Sequence, residues 1–259
     1  MNAATILIAE DDGVRTVTLN RPERRNAMTP AMQEGLIAAF EDAGASQCRV
    51  VVLRGAGEAF CSGLDLSVLE QMQAKSAEEY RADAGRVARL FRSLFELRKP
   101  TIAVVQGAAI AGGTGLATIC DFTLAVPAAK FGYTEVRIGF VPALVSAYLA
   151  LQVGDKRSRD LLMTGRLFDA AEGLRLGLVN EVVAPEEMEA RVAALIAVLK
   201  ANSPQSLAAT KRLMAEQNRL WLDAAVDAAM LANAEARETE DFREGIAAFL
   251  EKRKAVWKL

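Results

Sequence analysis

The sequence predicts an α/β protein, in which a parallel sheet of strands alternating with helices is followed by a helical C-terminal region. Three observations carry this. Strand patterns and amphipathic helical patterns alternate up to Gly139, the order that builds a parallel core. VVVLRG, beginning at Val50, is a continuous apolar run closed by a turn, as a buried strand requires. From about Leu144 onward the pattern is mostly helical, interrupted by GLVNEVV (Gly177–Val183), a strand candidate. At 259 residues and 52% hydrophobic, the chain is long enough to bury one substantial core.

Each element has its own local reason. ATILIAE and VRTVTLN flank Asp11-Asp12-Gly13, a hairpin signal. Thr29-Pro30 supplies an N-cap and a first helical residue for the amphipathic run to about Ala45. Ser76 with Glu79 matches a capping box opening a long helix, whose core stripe is Val87, Leu90, Phe91, Leu94 and Leu97. Thr101–Val105 is the next strand, and FTLAV from Phe122 another. Pro185 and Ser203-Pro204 mark two further helix starts, and the last fifty or so residues read as a helical bundle or oligomerisation layer.

Composition removes several chemistries. The chain contains no histidine, so triads with an imidazole base, His-ligated zinc and His-activated cysteine nucleophiles are excluded. Proton transfer falls to carboxylates, Lys, Tyr, a thiol or water. A formal charge of −2 gives no general attraction to nucleic acid or anionic membrane. Cys48, Cys61 and Cys120 have no metal-ligand spacing and suit a reducing cytoplasm. The opening residues have neither the basic and apolar blocks of a signal peptide nor the Arg/Ser-rich character of a transit peptide.

GAAIAGGTGLATICD (Gly107–Asp121) admits three readings. The uncharged run from Lys99 to Asp121 is about long enough to span a membrane, but Pro100, Gln106 and the glycines at 107, 112, 113 and 115 interrupt it. As a phosphate loop it has Gly107, Gly112 and Thr114 in place, yet Gly113 stands where the lysine belongs. As a dinucleotide fingerprint it lacks the third glycine, because Thr118 holds that position. The third reading is a strand followed by glycines at a helix start, leaving backbone N–H groups bare for an oxyanion. Read alone, the same glycines also suit tight helix–strand packing. AFCSGLDL (Ala59–Leu66) places a second small-residue turn between a strand and a helix, where the Ser62-Gly63 peptide could supply a facing donor.

These two turns, with FGYTE placing Glu135 downstream, resemble the enoyl-CoA hydratase/isomerase (crotonase) superfamily. LNRPERRNAM (Leu19–Met28), AFCSGLDL, VQGAAIAGGTGLATICD, FGYTEVRIGFVP and FREGIAAFLEKRK follow in family order and cover the chain nearly end to end. The resemblance implies a crotonase-like spiral of ββα turns over 1–200 and a C-terminal helical region over 201–259 for CoA contact and trimerisation. It implies that the N–H groups of Ser62 and Gly112 polarise a thioester carbonyl while Glu135 handles the proton or water. CoA adenine and phosphates are expected near Arg24, Ser62 and Asp65–Leu66. Phe249 and Lys252 are expected to reach the CoA of a neighbouring subunit in a homotrimer or a dimer of trimers. No prosthetic group or metal is implied; coenzyme A enters as part of the substrate.

The sequence departs from the best-known hydratases at one point. Of their two glutamates one matches Glu135, and the other falls on Gly115. Single-glutamate members include Δ3,Δ2-enoyl-CoA isomerases and some hydratases, and TEVRIGFVPALVSAYL resembles the bacterial methylglutaconyl-CoA hydratase-like proteins among the latter. Hydration of a 2-enoyl-CoA is therefore the expected activity. Isomerisation is the alternative, and an acyl-CoA binder without turnover or an RNA-binding relative are lesser ones.

Several residues have plainer roles. Cys61 reads as a packing residue, Asp65 also as a helix N-cap, Tyr133 as a packed aromatic and Trp257 as packed against the helical layer. Arg81, Arg86, Arg89, Arg92 and Arg98 share one helix, but Glu78, Glu79, Asp83 and Glu96 dilute their charge, so a solvated face is expected rather than an RNA surface.

Overall fold

The computed structural model describes residues 4–72 and 75–258, without the side chains of Leu66 and Met72. Strands β1 (Ile6–Asp11) and β2 (Val14–Leu19) form the expected antiparallel hairpin. Asp12 and Gly13 both take positive φ, 45° and 73°, the two left-handed residues that a tight hairpin turn demands. Helix α1 (Pro30–Ala45) is capped by Thr29, whose side chain accepts from the Met32 amide at 3.3 Å. Strand β3 (Val50–Gly55) then pairs in parallel with β2.

After α2 (Leu66–Met72), helix α3 (Ala77–Phe95) opens with the complete Ser76–Glu79 capping box. Its apolar stripe, Leu90, Phe91 and Leu94, is fully buried against the sheet and its neighbours. Strand β4 (Thr101–Val105) follows, then the short β5 (Ala108–Ile110), helix α4 (Gly112–Ile119), β6 (Phe122–Ala125) and β7 (Lys130–Gly132). Helix α5 (Ala143–Thr164) is broken at Gly154, and β8 (Phe168–Asp169), α6 (Ala170–Leu176) and β9 (Glu181–Val182) complete the core.

Two sheets result. The larger runs β1-β2-β3-β4-β6-β9, parallel from β2 onward, and the smaller runs β5-β7-β8. The chain passes from the first sheet to the second directly after β4 and returns through α4, which is the expected spiral of strand-strand-helix turns. The sequence reading did not separate β5, β7 and β8, because runs of two or three residues carry too little alternation to register as strands. GLVNEVV supplies β9, the far edge of the large sheet.

Helices α7 (Met188–Ala201), α8 (Pro204–Ala236) and α9 (Glu240–Leu250) form the C-terminal region. Helix α8 lies along α3 and α5, so it shares the main core. Helix α9 packs on the Glu135–Ile138 turn and on α2, where Phe242 and Ile246 join Val68, Leu69 and Phe140 in a second, smaller core. The C-terminal region thus closes over the front of the molecule. No helix among the described residues is long and apolar enough to cross a membrane.

Candidate active site

The first loop, from Gly55 to Asp65, is held by a buried asparagine. Asn26 donates from Nδ2 to the carbonyls of Ala56 and Ala59 at 2.9 and 2.8 Å, and its Oδ1 accepts from the Arg21 amide at 2.8 Å. Beyond it the loop runs parallel to Met28: the Met28 amide donates to Gly63 O at 2.7 Å, and the Asp65 amide to Met28 O at 3.1 Å. That pattern turns the N–H of the intervening residue, Leu64, away from Met28. It makes no backbone hydrogen bond among the described residues, and Leu64 lines the central cavity. The Ser62 amide, by contrast, already donates to Arg25 O at 3.0 Å.

This corrects the expectation for Ser62. An N–H engaged with a backbone carbonyl is unavailable to a ligand oxygen, so the free donor of this loop is two residues further on. Gly63, at φ +92°, makes the turn that separates the two amides. The signal for Leu64 was faint, since only the register against Met28 tells which amide faces inward.

The second loop meets the first backbone to backbone. The Ile110 amide donates to Cys61 O at 2.8 Å, and the amides of Phe60 and Cys61 both donate to Ala108 O at 3.0 Å. Ala111 sits at φ 53°, ψ −124°, a strained conformation for a residue with a Cβ, costing about 1–3 kcal/mol. The Ala111 amide donates to Gly132 O at 2.7 Å, and α4 begins at the next residue. Gly112 is therefore the first residue of a helix with no side-chain cap, its N–H bare at the helix's positive end. Thr114, which a phosphate loop would use on a metal ion, spends its hydroxyl inside the fold. It donates to Ala109 O at 2.6 Å and accepts from the Gly132 amide at 3.1 Å, tying β5 to β7.

Glu135 opens the 3-10 turn Glu135–Ile138 after β7 and faces the same cavity. Its Oε2 is buried and has no hydrogen-bond partner among the described residues. Burial pushes its carboxyl up to about 7. Arg137 makes no ion pair with it among the described residues. The apolar setting includes Phe140 and Val141, as the sequence suggested.

The cavity holds about 550 Å³, and Gly112, Leu64 and Glu135 line it together with Arg24, Ser62, Asp65 and Phe249. Gly115 lies on the buried side of α4. A Cβ there would stand 2.7 Å from Val145 Cγ1 and 3.1 Å from Phe91 Cζ, so these two side chains occupy the place of a second glutamate. Phe249 lines the cavity from within the same chain, because α9 folds back over the 135–138 turn. Lys252 is exposed and outside the cavity. Leu66 begins α2, and its side chain lies outside the described residues.

The remaining residues divide as follows. Asp65 is buried, ion-paired with Arg21 at 2.7 Å, and accepts from the Ser67 amide at 3.0 Å as a cap does. The Cys61 thiol is wholly buried and pushed up to about 12, which leaves no thiolate. Tyr133 is packed, its hydroxyl 3.3 Å from Thr118 Oγ1. Trp257 is 45% exposed, so it does not pack into the helical layer as expected. Along α3, Arg86 pairs with Asp83, Arg89 with Glu34 and Arg92 with Asp223, which leaves these three arginines engaged within the fold.

A cavity lined by bare backbone amides and by a buried carboxylate oxygen without a partner among the described residues, set in a two-sheet spiral, is the architecture of a crotonase-type acyl-CoA enzyme. The chain belongs to the enoyl-CoA hydratase/isomerase family, whose model matches residues 9–259. A Thermus thermophilus relative that carries an enoyl-CoA hydratase name is 45% identical over 245 residues, covering 94% of this chain and 97% of that protein. The short-chain-enoyl-CoA hydratase of Clostridium acetobutylicum is 32% identical, covering 98% and 97%. Among solved structures, an enoyl-CoA hydratase from Mycobacterium avium subsp. paratuberculosis superposes with a TM-score of 0.87 at 30% identity over 100% of both chains.

Proposed function

We propose that the protein hydrates 2-enoyl-CoA thioesters, with Glu135 as its one acid/base. The observation that carries this is the buried, unpartnered Oε2 of Glu135 in the same cavity as the bare amide of Gly112. The Gly112 and Leu64 amides polarise the thioester carbonyl, so that charge gathers on its oxygen as the enolate forms. Glu135, ionised, takes a proton from water as the water oxygen bonds to the β-carbon. The protonated carboxyl then returns that proton to the α-carbon, and the thioester carbonyl is restored. A carboxyl balanced near neutrality can perform both halves of this transfer. The relatives named as crotonyl-CoA and short-chain-enoyl-CoA hydratases support hydration over other outcomes.

CoA in this reading runs from the thioester towards Arg24, Asp65 and Leu66, with Phe249 against it from the same chain and exposed Lys252 facing a neighbouring subunit. The exposed apolar side chains of α8, Leu213, Met214, Leu220 and Trp221, supply area for subunits of a homotrimer or a dimer of trimers to cover. Three buried free thiols suit a reducing cytoplasm.

One observation favours a second reading. Val145 and Phe91 fill the space of a second carboxylate, and a lone glutamate also suffices to move a proton between the α- and γ-carbons, as in a Δ3,Δ2-enoyl-CoA isomerase. Following the 2-enoyl absorbance separates the two. Loss of absorbance from crotonyl-CoA supports hydration, and a gain from a 3-enoyl-CoA with crotonyl-CoA unchanged supports isomerisation. Glu135→Gln abolishes either. Full turnover by that variant removes the carboxylate from the mechanism.

A further inference from the structure

A network of buried hydroxyls ties helix α4 to the strand that leads to Glu135. Thr114 is fully buried, and its hydroxyl donates to Ala109 O at 2.6 Å. The same oxygen lies 3.1 Å from both the nitrogen and the carbonyl oxygen of Gly132, and it accepts from that nitrogen. Thr118, one turn further along the same face of α4, is also buried. Its hydroxyl donates to Thr114 O at 3.0 Å and so accepts from the Tyr133 hydroxyl, 3.3 Å away. The helix therefore grips two successive residues, Gly132 by its backbone and Tyr133 by its side chain. Glu135 follows two positions after Tyr133.

Gly132 also anchors the other half of the site. Its carbonyl accepts from the Ala111 amide at 2.7 Å, while the Ala111 carbonyl accepts from the Gly115 amide at 3.2 Å. Ala111, at φ 53° and ψ −124°, keeps its strained backbone only because its surroundings hold it there. The peptide plane that follows Ala111 carries the Gly112 N–H, so relaxation of Ala111 would rotate that plane and redirect the donor. Thr114 is thus bonded to a residue whose carbonyl holds the strained link and whose chain continues to the carboxylate. The motif readings left both threonines idle. Thr114 matched a phosphate loop that lacks its lysine, and Thr118 stood where a dinucleotide fingerprint needs glycine.

Resting on the enoyl-CoA reading, we propose that Thr114 is a positioning residue, whose hydroxyl fixes the Gly112 amide relative to the Glu135 carboxyl through Gly132. Thr114 does not line the cavity, so it reaches the chemistry only through where it sets these two groups. The reaction needs the carbonyl oxygen against the amides and the reacting carbons against the carboxylate at the same moment. A small misplacement of either lowers the rate steeply. Thr114→Val keeps the shape of the side chain but removes its donor and acceptor, leaving the Gly132 amide without this partner. Thr114→Ser keeps the hydroxyl.

The test reads the carbonyl of a bound thioester. Butyryl-CoA, isotope-labelled at its carbonyl, is neither hydrated nor isomerised, and donors on its oxygen lower the C=O stretching frequency. Infrared difference spectra record this shift per bound ligand, so unfolded protein does not contribute. Thr114→Val is expected to lose roughly half or more of the wild-type shift, and kcat for crotonyl-CoA falls by about 10–100-fold while KM changes less than about threefold. Thr114→Ser returns all three to near wild-type values. In Thr114→Val, either an undiminished shift or a kcat within about threefold of wild type overturns the proposal and leaves the hydratase reading standing. Equal impairment of Thr114→Ser and Thr114→Val overturns it too. A wild type that binds butyryl-CoA without any shift, or turns over neither crotonyl-CoA nor a 3-enoyl-CoA, removes the enoyl-CoA reading and the proposal with it. Hydrogen exchange of the wild-type protein needs no variant. The Ala111 and Gly132 amides are expected to exchange as slowly as those of β4, and exchange more than about tenfold faster, through local opening, overturns the proposal.

Discussion

A Cβ placed on Gly113 would stand 2.3 Å from the carbonyl oxygen of Cys61, so the two loops of the site touch without any side chain between them. That contact, with the Ile110–Cys61 hydrogen bond beside it, brings the Leu64 and Gly112 amides into one cavity. The sequence is glycine-rich here because the backbones must approach this closely.

Gly113→Ala is expected to force the loops apart, costing about 1–3 kcal/mol of stability and most of the turnover. Gly85 is the control, since a Cβ there meets nothing within 4 Å in the middle of α3. Gly85→Ala should stabilise the protein by about 0.5–1 kcal/mol with unchanged kcat. Denaturant unfolding and steady-state rates measure both.

On the proposed mechanism, Glu135 should set the pH response of the rate. With its carboxyl near 7, the ionised base is lost as pH falls through that value, so kcat/KM should rise with pH through about 7 and level off above it. Glu135→Gln should lower kcat by about 10²–10⁴-fold. A wild-type profile flat between pH 5 and 9 on the roughly one-unit-per-decade scale of a single ionisation contradicts this assignment.

The same group sets a stability response of opposite sense. Its carboxyl rises from 4.5 in the unfolded chain to about 7 in the fold, so the folded state holds a proton that the unfolded state releases between those values. Stability from this group is complete below pH 4.5 and lost as pH rises through 7. Glu135→Gln, which never ionises, should be more stable than wild type above pH 7, by at most about 3 kcal/mol, with the difference vanishing towards pH 4.5. Thermal melts of the two proteins across this range are the measurement.

Restoring the second glutamate should fail for want of room. Gly115→Ala already presses on Val145 and Phe91 and should cost about 1–3 kcal/mol. Val145→Ala in the same chain should recover part of that cost, because the two positions share one space. Additive losses in the double variant, read by chemical denaturation, argue against this packing.

Cys61 lies beside the first loop, yet it is wholly buried and its thiol is raised to about 12. Thiol reagents near neutral pH should leave the folded enzyme unlabelled and fully active. Rapid inactivation by labelling at Cys61 contradicts this.

Much of this protein was legible in its sequence. Apolar runs, caps and turn residues act over a few positions, so the β1–β2 hairpin, the Thr29 and Ser76 caps and the buried stripe of α3 follow from local chemistry. The absence of histidine left carboxylates, Lys, Tyr, a thiol or water for proton transfer, and the family resemblance around Glu135 pointed to that carboxylate. Tertiary structure alone decided which amide of the first loop is free, because hydrogen bonding of Ser62 to Arg25 and of the Leu64 neighbours to Met28 depends on register between distant strands. It also decided that Val145 and Phe91 fill the space at Gly115, that Ala111 is strained, and that Arg237 reaches Asp83 across 154 positions of sequence. Burial and pairing of charges arise only when separate segments pack. The long-range contacts that raise Glu135 and hold Arg237 over Phe140 therefore have no signature in any one stretch of the chain.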